Sequence, residues 1–198
     1  MAHRKPTLDR RKVAAEILKQ RGDALVVPGL GAPTWDTAAA GDHPLNFYTW
    51  GGMGGAAMIG LGLALAQPKR RVLVITGDGE LLMGLGSLAT IGVQQPRNLA
   101  VIVMDNEHYG ETGMQQTHTY FGVDLAGVAK AAGFRTSGTI RSAAELKTWL
   151  PRLYHQPGPV FLNIKVTTAP APLVLPIREG PALKNRFREA LLGAKAFD

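Results

Sequence analysis

A chain of 198 residues, 45% hydrophobic and 19% charged, has the size and balance of one soluble globular domain with a substantial core. It contains no cysteine, which excludes a disulfide framework, a thiolate metal site and an iron–sulfur cluster. The net charge of +7 is dispersed: seven of the 22 basic residues lie in positions 1–21 and no basic run interleaves with aromatics, so a solvated basic surface suited to anionic substrates is read, and no nucleic-acid partner.

The start, MAHRKPTLDRRK, is basic with no apolar run behind it, so no secretory signal is read and a cytoplasmic location is expected. Residues 8–21 set Leu8, Val13, Ile17 and Leu18 at approximate helical spacing behind Asp9 and predict an amphipathic helix, broken by Gly22-Asp23. Residues 24–27 predict a short buried strand ended by Pro28-Gly29. The turn-rich stretch 29–44 predicts a loop with one helical turn. Its Gly29-Leu30-Gly31 runs into Ala32-Pro33 and is not a dinucleotide fingerprint.

From 45 to 66 the chain carries no charge. The spacing predicts a strand over 46–50, a break at Gly51-Gly52, and a small-residue helix over 53–66 that is too short to cross a bilayer, so no membrane partner is expected. Glycines 54, 55, 60 and 62 would each cost an exposed helix on the order of 1 kcal/mol, so this helix is expected to pack tightly against something.

The next stretch carries the chemistry. An apolar β-rich run, 72–76, leads into Gly77-Asp78-Gly79, a helix is predicted over 80–91, and a second β-rich run, 99–104, ends at Asp105-Asn106. In an open α/β sheet the carboxyl ends of the strands form the ligand crevice, so Asp78 and Asn106 can converge there on one cation. A carboxylate and an amide oxygen are hard ligands that suit magnesium, which commonly bridges protein oxygens to phosphate oxygens. Gly77 and Gly79 let the backbone bend tightly, and the helix that follows points free N–H groups, that of Glu80 included, at an anion. The Glu80 side chain itself is expected to turn away from a diphosphate. Farther on, His108 and His118 lack a third ligand for zinc.

The remainder predicts a helix capped by Asp124 and running to Ala132, a short strand after Gly133-Phe134, a helix opened by a Ser142/Glu145 capping box and ending near Tyr154, and a strand over 160–166. The tail, 169–198, is proline-rich and then helical over 182–192, and is expected to wrap a neighbour. There are no internal repeats. The whole is read as α/β: an open parallel sheet with helices on both faces, one domain over 1–198 with 169–198 as a C-terminal tail.

Over roughly residues 42–168, Gly77-Asp78-Gly79 followed by Asn106 at 28 positions from the aspartate, together with YTWGGMGGAAMIGLGLAL, resembles the diphosphate-binding domain of thiamine-diphosphate enzymes. The likeness is to decarboxylase-type members, in particular to the small β subunit of sulfopyruvate decarboxylase and the matching half of phosphonopyruvate decarboxylase. It implies thiamine diphosphate and Mg2+ as cofactors. It gives Met53, 25 positions before Asp78, the role of propping the cofactor into its bent shape, and the Gly51 carbonyl that of accepting from the 4′-amino group. It makes the His108 carbonyl the third metal ligand beside Asp78 and Asn106; glycine commonly holds the place of His108. It also sets Tyr109, Gly110 and Thr112 near the diphosphate or the substrate. The substrate implied is a small anionic 2-oxoacid, and the reaction its decarboxylation.

In that family a second, pyrimidine-binding domain supplies the glutamate that activates the cofactor. This chain has room for one of the two domains, so no catalytic residue is assigned here and an α-type partner subunit, in an α2β2 or larger heteromer, is expected to bring the glutamate. The alternatives are a non-catalytic or regulatory cofactor-binding subunit, and a carboligase or 2-oxoacid dehydrogenase component.

Overall fold

The structure is a computed structural model and describes residues 5–197, so the first four residues of the basic start lie outside it. Along the chain come α1 (Arg10–Leu18), β1 (Leu25–Pro28), α2 (Ala32–Ala39), α3 (Ala56–Ala66), β2 (Val72–Gly77), α4 (Asp78–Met83), α5 (Ser87–Gln94) and β3 (Leu99–Asp105). A small hairpin of β4 (His108–Tyr109) and β5 (Gln115–Gln116) follows, then α6 (Leu125–Ala131), β6 (Thr136–Ile140), α7 (Ala143–His155), β7 (Val160–Lys165), α8 (Gly180–Leu192) and a 3-10 turn, Gly193–Phe197.

Five strands form one parallel sheet in the order β1-β2-β3-β7-β6. The central strands are continuous apolar runs buried along their length, as a parallel sheet covered on both faces requires. Alternate residues feed opposite faces. Val72, Val74, Val101 and Val103 pack with Leu61 of α3, Ile91 of α5 and Leu125 of α6. Leu73, Ile75 and Ile102 pack with Ile17 of α1 and Leu146 and Leu150 of α7. The helices therefore lie on both faces, as expected. Among the described residues no helix is long and apolar enough to cross a membrane.

Local signals act where the sequence places them. Asp9 caps α1, its Oδ1 accepting from the Lys12 amide at 2.9 Å. Ser142 and Glu145 form the reciprocal capping box of α7. Asp124 stands at the N-cap of α6 but makes no side-chain capping bond.

Several expectations are corrected. The stretch 29–44 holds a two-turn helix, α2, because Pro33 falls in its first turn, where a missing N–H costs nothing. Residues 46–50 are not a strand: they run beside β1 through an isolated bridge, with the Phe47 amide donating to the Val26 carbonyl at 2.8 Å. The helix expected from 53 starts at Ala56, since Gly52 and Gly54, at φ +68° and +95°, hold the backbone out of the helical region. The single helix expected over 80–91 is two, α4 and α5, broken around Gly84. The tail covers its own chain: Leu183 packs with Ala38 and Tyr48, Phe187 meets Phe47 edge-on at 5.4 Å, and Arg186 pairs with Asp42 at 2.6 Å.

Candidate cofactor site

β2 and β3 pair in register from Val72↔Leu99 to Gly77↔Met104, so their carboxyl ends finish level. Asp78 and Asn106 follow directly, and both line one pocket at this edge of the sheet. Met53, Gly77, Gly79, Glu80, His108, Tyr109, Gly110 and Thr112 line it too, whereas Gly51 is exposed and does not. Leu30, Ala32, Pro33, Met104 and Glu111 also face the pocket and were not singled out from the sequence. Glu111 reaches across the mouth: its Oε1 accepts from Trp35 Nε1 at 3.4 Å and lies against Gly31.

Asp78 is 2% exposed. The Thr117 hydroxyl donates to its Oδ2 at 2.5 Å, and the Thr119 hydroxyl oxygen lies 3.3 Å from the same atom. Burial, and after it the nearby Asp105, push its carboxyl up to about 7 against the pull of those hydroxyls. Asn106 is only part-buried, and its Oδ1 accepts the His108 amide at 2.9 Å. The left-handed residue of this turn is Glu107, at φ +65°, one place before His108.

The Glu80 side chain lines the pocket and folds back onto the end of β2. Its Oε2 accepts from the Thr76 hydroxyl at 2.7 Å, and a Cβ on Gly29 would lie 1.7 Å from that oxygen. Burial raises its pKa, opposed by the Thr76 hydroxyl and the amides of Ala56, Gly54 and Leu30. Oε1 makes no direct hydrogen bond, so those amides favour the ionised form without closing on it. The carboxylate thus sits between the end of β2, the turn after β1 and the approach to α3.

Beneath Asn106 lies a buried polar cluster. Lys165 Nζ pairs with Asp105 Oδ2 at 2.6 Å and with Glu107 Oε1 at 2.8 Å. Asn163 Nδ2 donates to Asp105 Oδ2 at 2.9 Å, and the Thr119 hydroxyl to Asp105 Oδ1 at 2.8 Å. Among the described residues no group of three His, Cys, Asp or Glu side chains is placed to hold a metal.

The family model "Thiamine pyrophosphate enzyme, C-terminal TPP binding domain" matches residues 32–164. The chain is 37% identical over 187 residues to the sulfopyruvate decarboxylase subunit beta of Methanothermobacter thermautotrophicus, covering 94% of this chain and 97% of that subunit. It is 40% identical over 144 residues to the phosphonopyruvate decarboxylase of Streptomyces viridochromogenes, covering 73% of this chain and 36% of that longer protein. An X-ray structure of a Mycobacterium smegmatis protein described as thiamin diphosphate-dependent superposes with a TM-score of 0.71 at 23% identity, over 82% of this chain and 32% of that one, and shares the fold. With the strand-end pocket and a family match across most of its length, the chain belongs to the C-terminal TPP-binding domain family of thiamine pyrophosphate enzymes.

Proposed function

We propose that this chain is the diphosphate-binding subunit of a heteromeric thiamine-diphosphate-dependent decarboxylase acting on a small anionic 2-oxoacid of the sulfopyruvate or phosphonopyruvate kind, with 1–198 as one cofactor-binding domain and 169–198 as its tail. One observation carries the reading: Met53, Asp78 and Asn106 share a pocket at the ends of β2 and β3, in a chain 37% identical over nearly its whole length to a sulfopyruvate decarboxylase subunit beta.

The donor set suits magnesium. The Asp78 carboxylate, the Asn106 amide oxygen and the His108 carbonyl are all hard oxygens, and a dication would relieve the unfavourable ionisation of Asp78. A Cβ on Gly77 would meet nothing, so the backbone beside Asp78 is open to a diphosphate. Met53 would bear on the cofactor's bend, the Gly51 carbonyl would accept from its amino group, and Tyr109, Gly110 and Thr112 would border the diphosphate or the substrate. When bound, the cofactor supplies the electron sink for loss of carbon dioxide. This chain holds and orients it, while a pyrimidine-binding partner in the cytoplasm brings the activating glutamate.

Asp78→Ala removes a charged ligand, so cofactor binding by the assembled complex is expected to weaken by about 1.5 to 3 kcal/mol, roughly 10- to 150-fold. Calorimetry with thiamine diphosphate and magnesium measures it. Unchanged affinity would sink the site assignment.

A further inference from the structure

We infer that Lys165 is a positioning residue for the magnesium site, gripping the two residues that flank Asn106 so that the amide between them faces the pocket; this rests on the reading that Asp78 and Asn106 hold the metal. Its place is set by the sheet. β3 and β7 pair with Asp105 opposite Lys165, so the ammonium starts beside the last residue of β3. From there it reaches Asp105 at 2.6 Å and Glu107 at 2.8 Å, one on each side of Asn106. All three charged residues are buried, with Lys165 5%, Asp105 0% and Glu107 3% exposed.

The remaining polar residue of β7 serves the same point. Asn163 and Lys165 are two apart and share a face of the strand, and both reach Asp105 Oδ2. A charged group at the end of the apolar run VFLNI is expensive to bury without a partner, so its presence asks for an explanation beyond packing. The connection continues to the other proposed ligand. The Thr119 hydroxyl lies 2.8 Å from Asp105 Oδ1 and 3.3 Å from Asp78 Oδ2, so the anchored Asp105 also orders the hydroxyl that faces Asp78. Lys165 thereby bears on both side-chain donors without touching the pocket, which it does not line. Glu107 holds its left-handed φ of +65° while its carboxylate is tied to the same ammonium, and this turn carries the chain from Asn106 to the His108 carbonyl.

Lys165→Met keeps the unbranched stem of the side chain and removes the ammonium that makes the grip. In the complex assembled with the partner subunit, the magnesium concentration that half-saturates thiamine diphosphate binding is expected to rise about 10- to 100-fold, as when a group behind a metal ligand is lost. Turnover at saturating magnesium is expected to return to the wild-type level, an outcome that general loosening of the fold would not give. A wild-type half-saturation point in Lys165→Met overturns the inference, as does a turnover deficit that magnesium does not repair. Should that variant not fold, Asp105→Asn cuts one arm with little change of shape, and an unchanged half-saturation point there overturns it equally. Failure of the underlying reading looks different: wild-type protein would show no magnesium-dependent cofactor binding, or Asp78→Ala would leave it intact.

Discussion

Asp78 carries a carboxylate that the fold by itself disfavours in its ionised form. Burial first and Asp105 second push it up to about 7, above the 3.8 of the unfolded chain. Between those values the folded state holds more protons than the unfolded one, so the contribution of Asp78 to stability falls as pH rises through that window. A dication reverses the sign by favouring the ionised form. The cofactor-free chain is therefore expected to lose thermal stability from about pH 4 to about pH 7 through this group, with Asp78→Asn flattening the slope. Magnesium with thiamine diphosphate should stabilise wild type more above that window than below it. Thermal unfolding against pH, with and without both, checks this, and a wild-type slope matched by Asp78→Asn would discard the elevated value. Asp78 and Asn106 were legible in the sequence because each ends an apolar run at a strand terminus. Lys165 was not, since its partner Asp105 is 60 positions away and only the β3–β7 register brings them together.

The approach to α3 touches the end of α4 backbone to backbone. A Cβ on Gly84 would lie 2.1 Å from the Gly54 carbonyl oxygen, and one on Gly54 would lie 3.1 Å from the Gly84 amide. Backbone against backbone leaves no side chain to give way, and Gly54 is also at φ +95°. This contact sets Met53, one residue before Gly54, relative to Asp78 at the start of α4. Gly84→Ala is expected to cost about 1 to 3 kcal/mol of stability by overpacking. It should also slow turnover more than it weakens magnesium binding, because Met53 moves while Asp78 and Asn106 stay on β2 and β3. Chemical denaturation and steady-state kinetics separate the two effects, and equal losses in both kinetic terms would contradict this division of roles. The same contact explains a limit of sequence reading: apolar periodicity over 80–91 is continuous, and the need for a break at Gly84 exists only in three dimensions. The strands were read closely because in a parallel sheet local apolarity and burial coincide along the whole run. Residues 46–50 misled for the converse reason, being extended and buried yet paired with β1 at one bridge.

On the scale of the whole molecule, one side is apolar in a way the chain does not use. Met58 is 43% exposed and Leu65 51% on α3, Met83 62% on α4 and Val93 80% on α5. Neither α3 nor α5 contains a charged residue. Gly62 lies on the exposed side of α3 with no atom within 4 Å of a built Cβ, which leaves room for another backbone to approach. Exposed apolar side chains gathered on uncharged helices are candidates for an interaction site. The glutamates point the same way. Glu80 is held by Thr76 and Glu107 by Lys165, while Glu111 spans the pocket mouth to Trp35. Glu16 lies on α1, Glu145 on α7, Glu179 at the start of α8 and Glu189 within it, all outside the pocket lining. On the proposed reading, in which the activating glutamate comes from the partner, the chain purified alone is expected to show no decarboxylation, and activity should appear on mixing with a pyrimidine-binding subunit. The apolar face is the expected seat of that subunit, so Leu65→Glu, which leaves the pocket untouched, should abolish both co-elution and activity. Size-exclusion with mass measurement on each chain and on the mixture, followed by 2-oxoacid assays on the same fractions, decides the matter. Full activity from this chain alone would overturn it and would place the activating carboxylate among Glu80, Glu107 and Glu111.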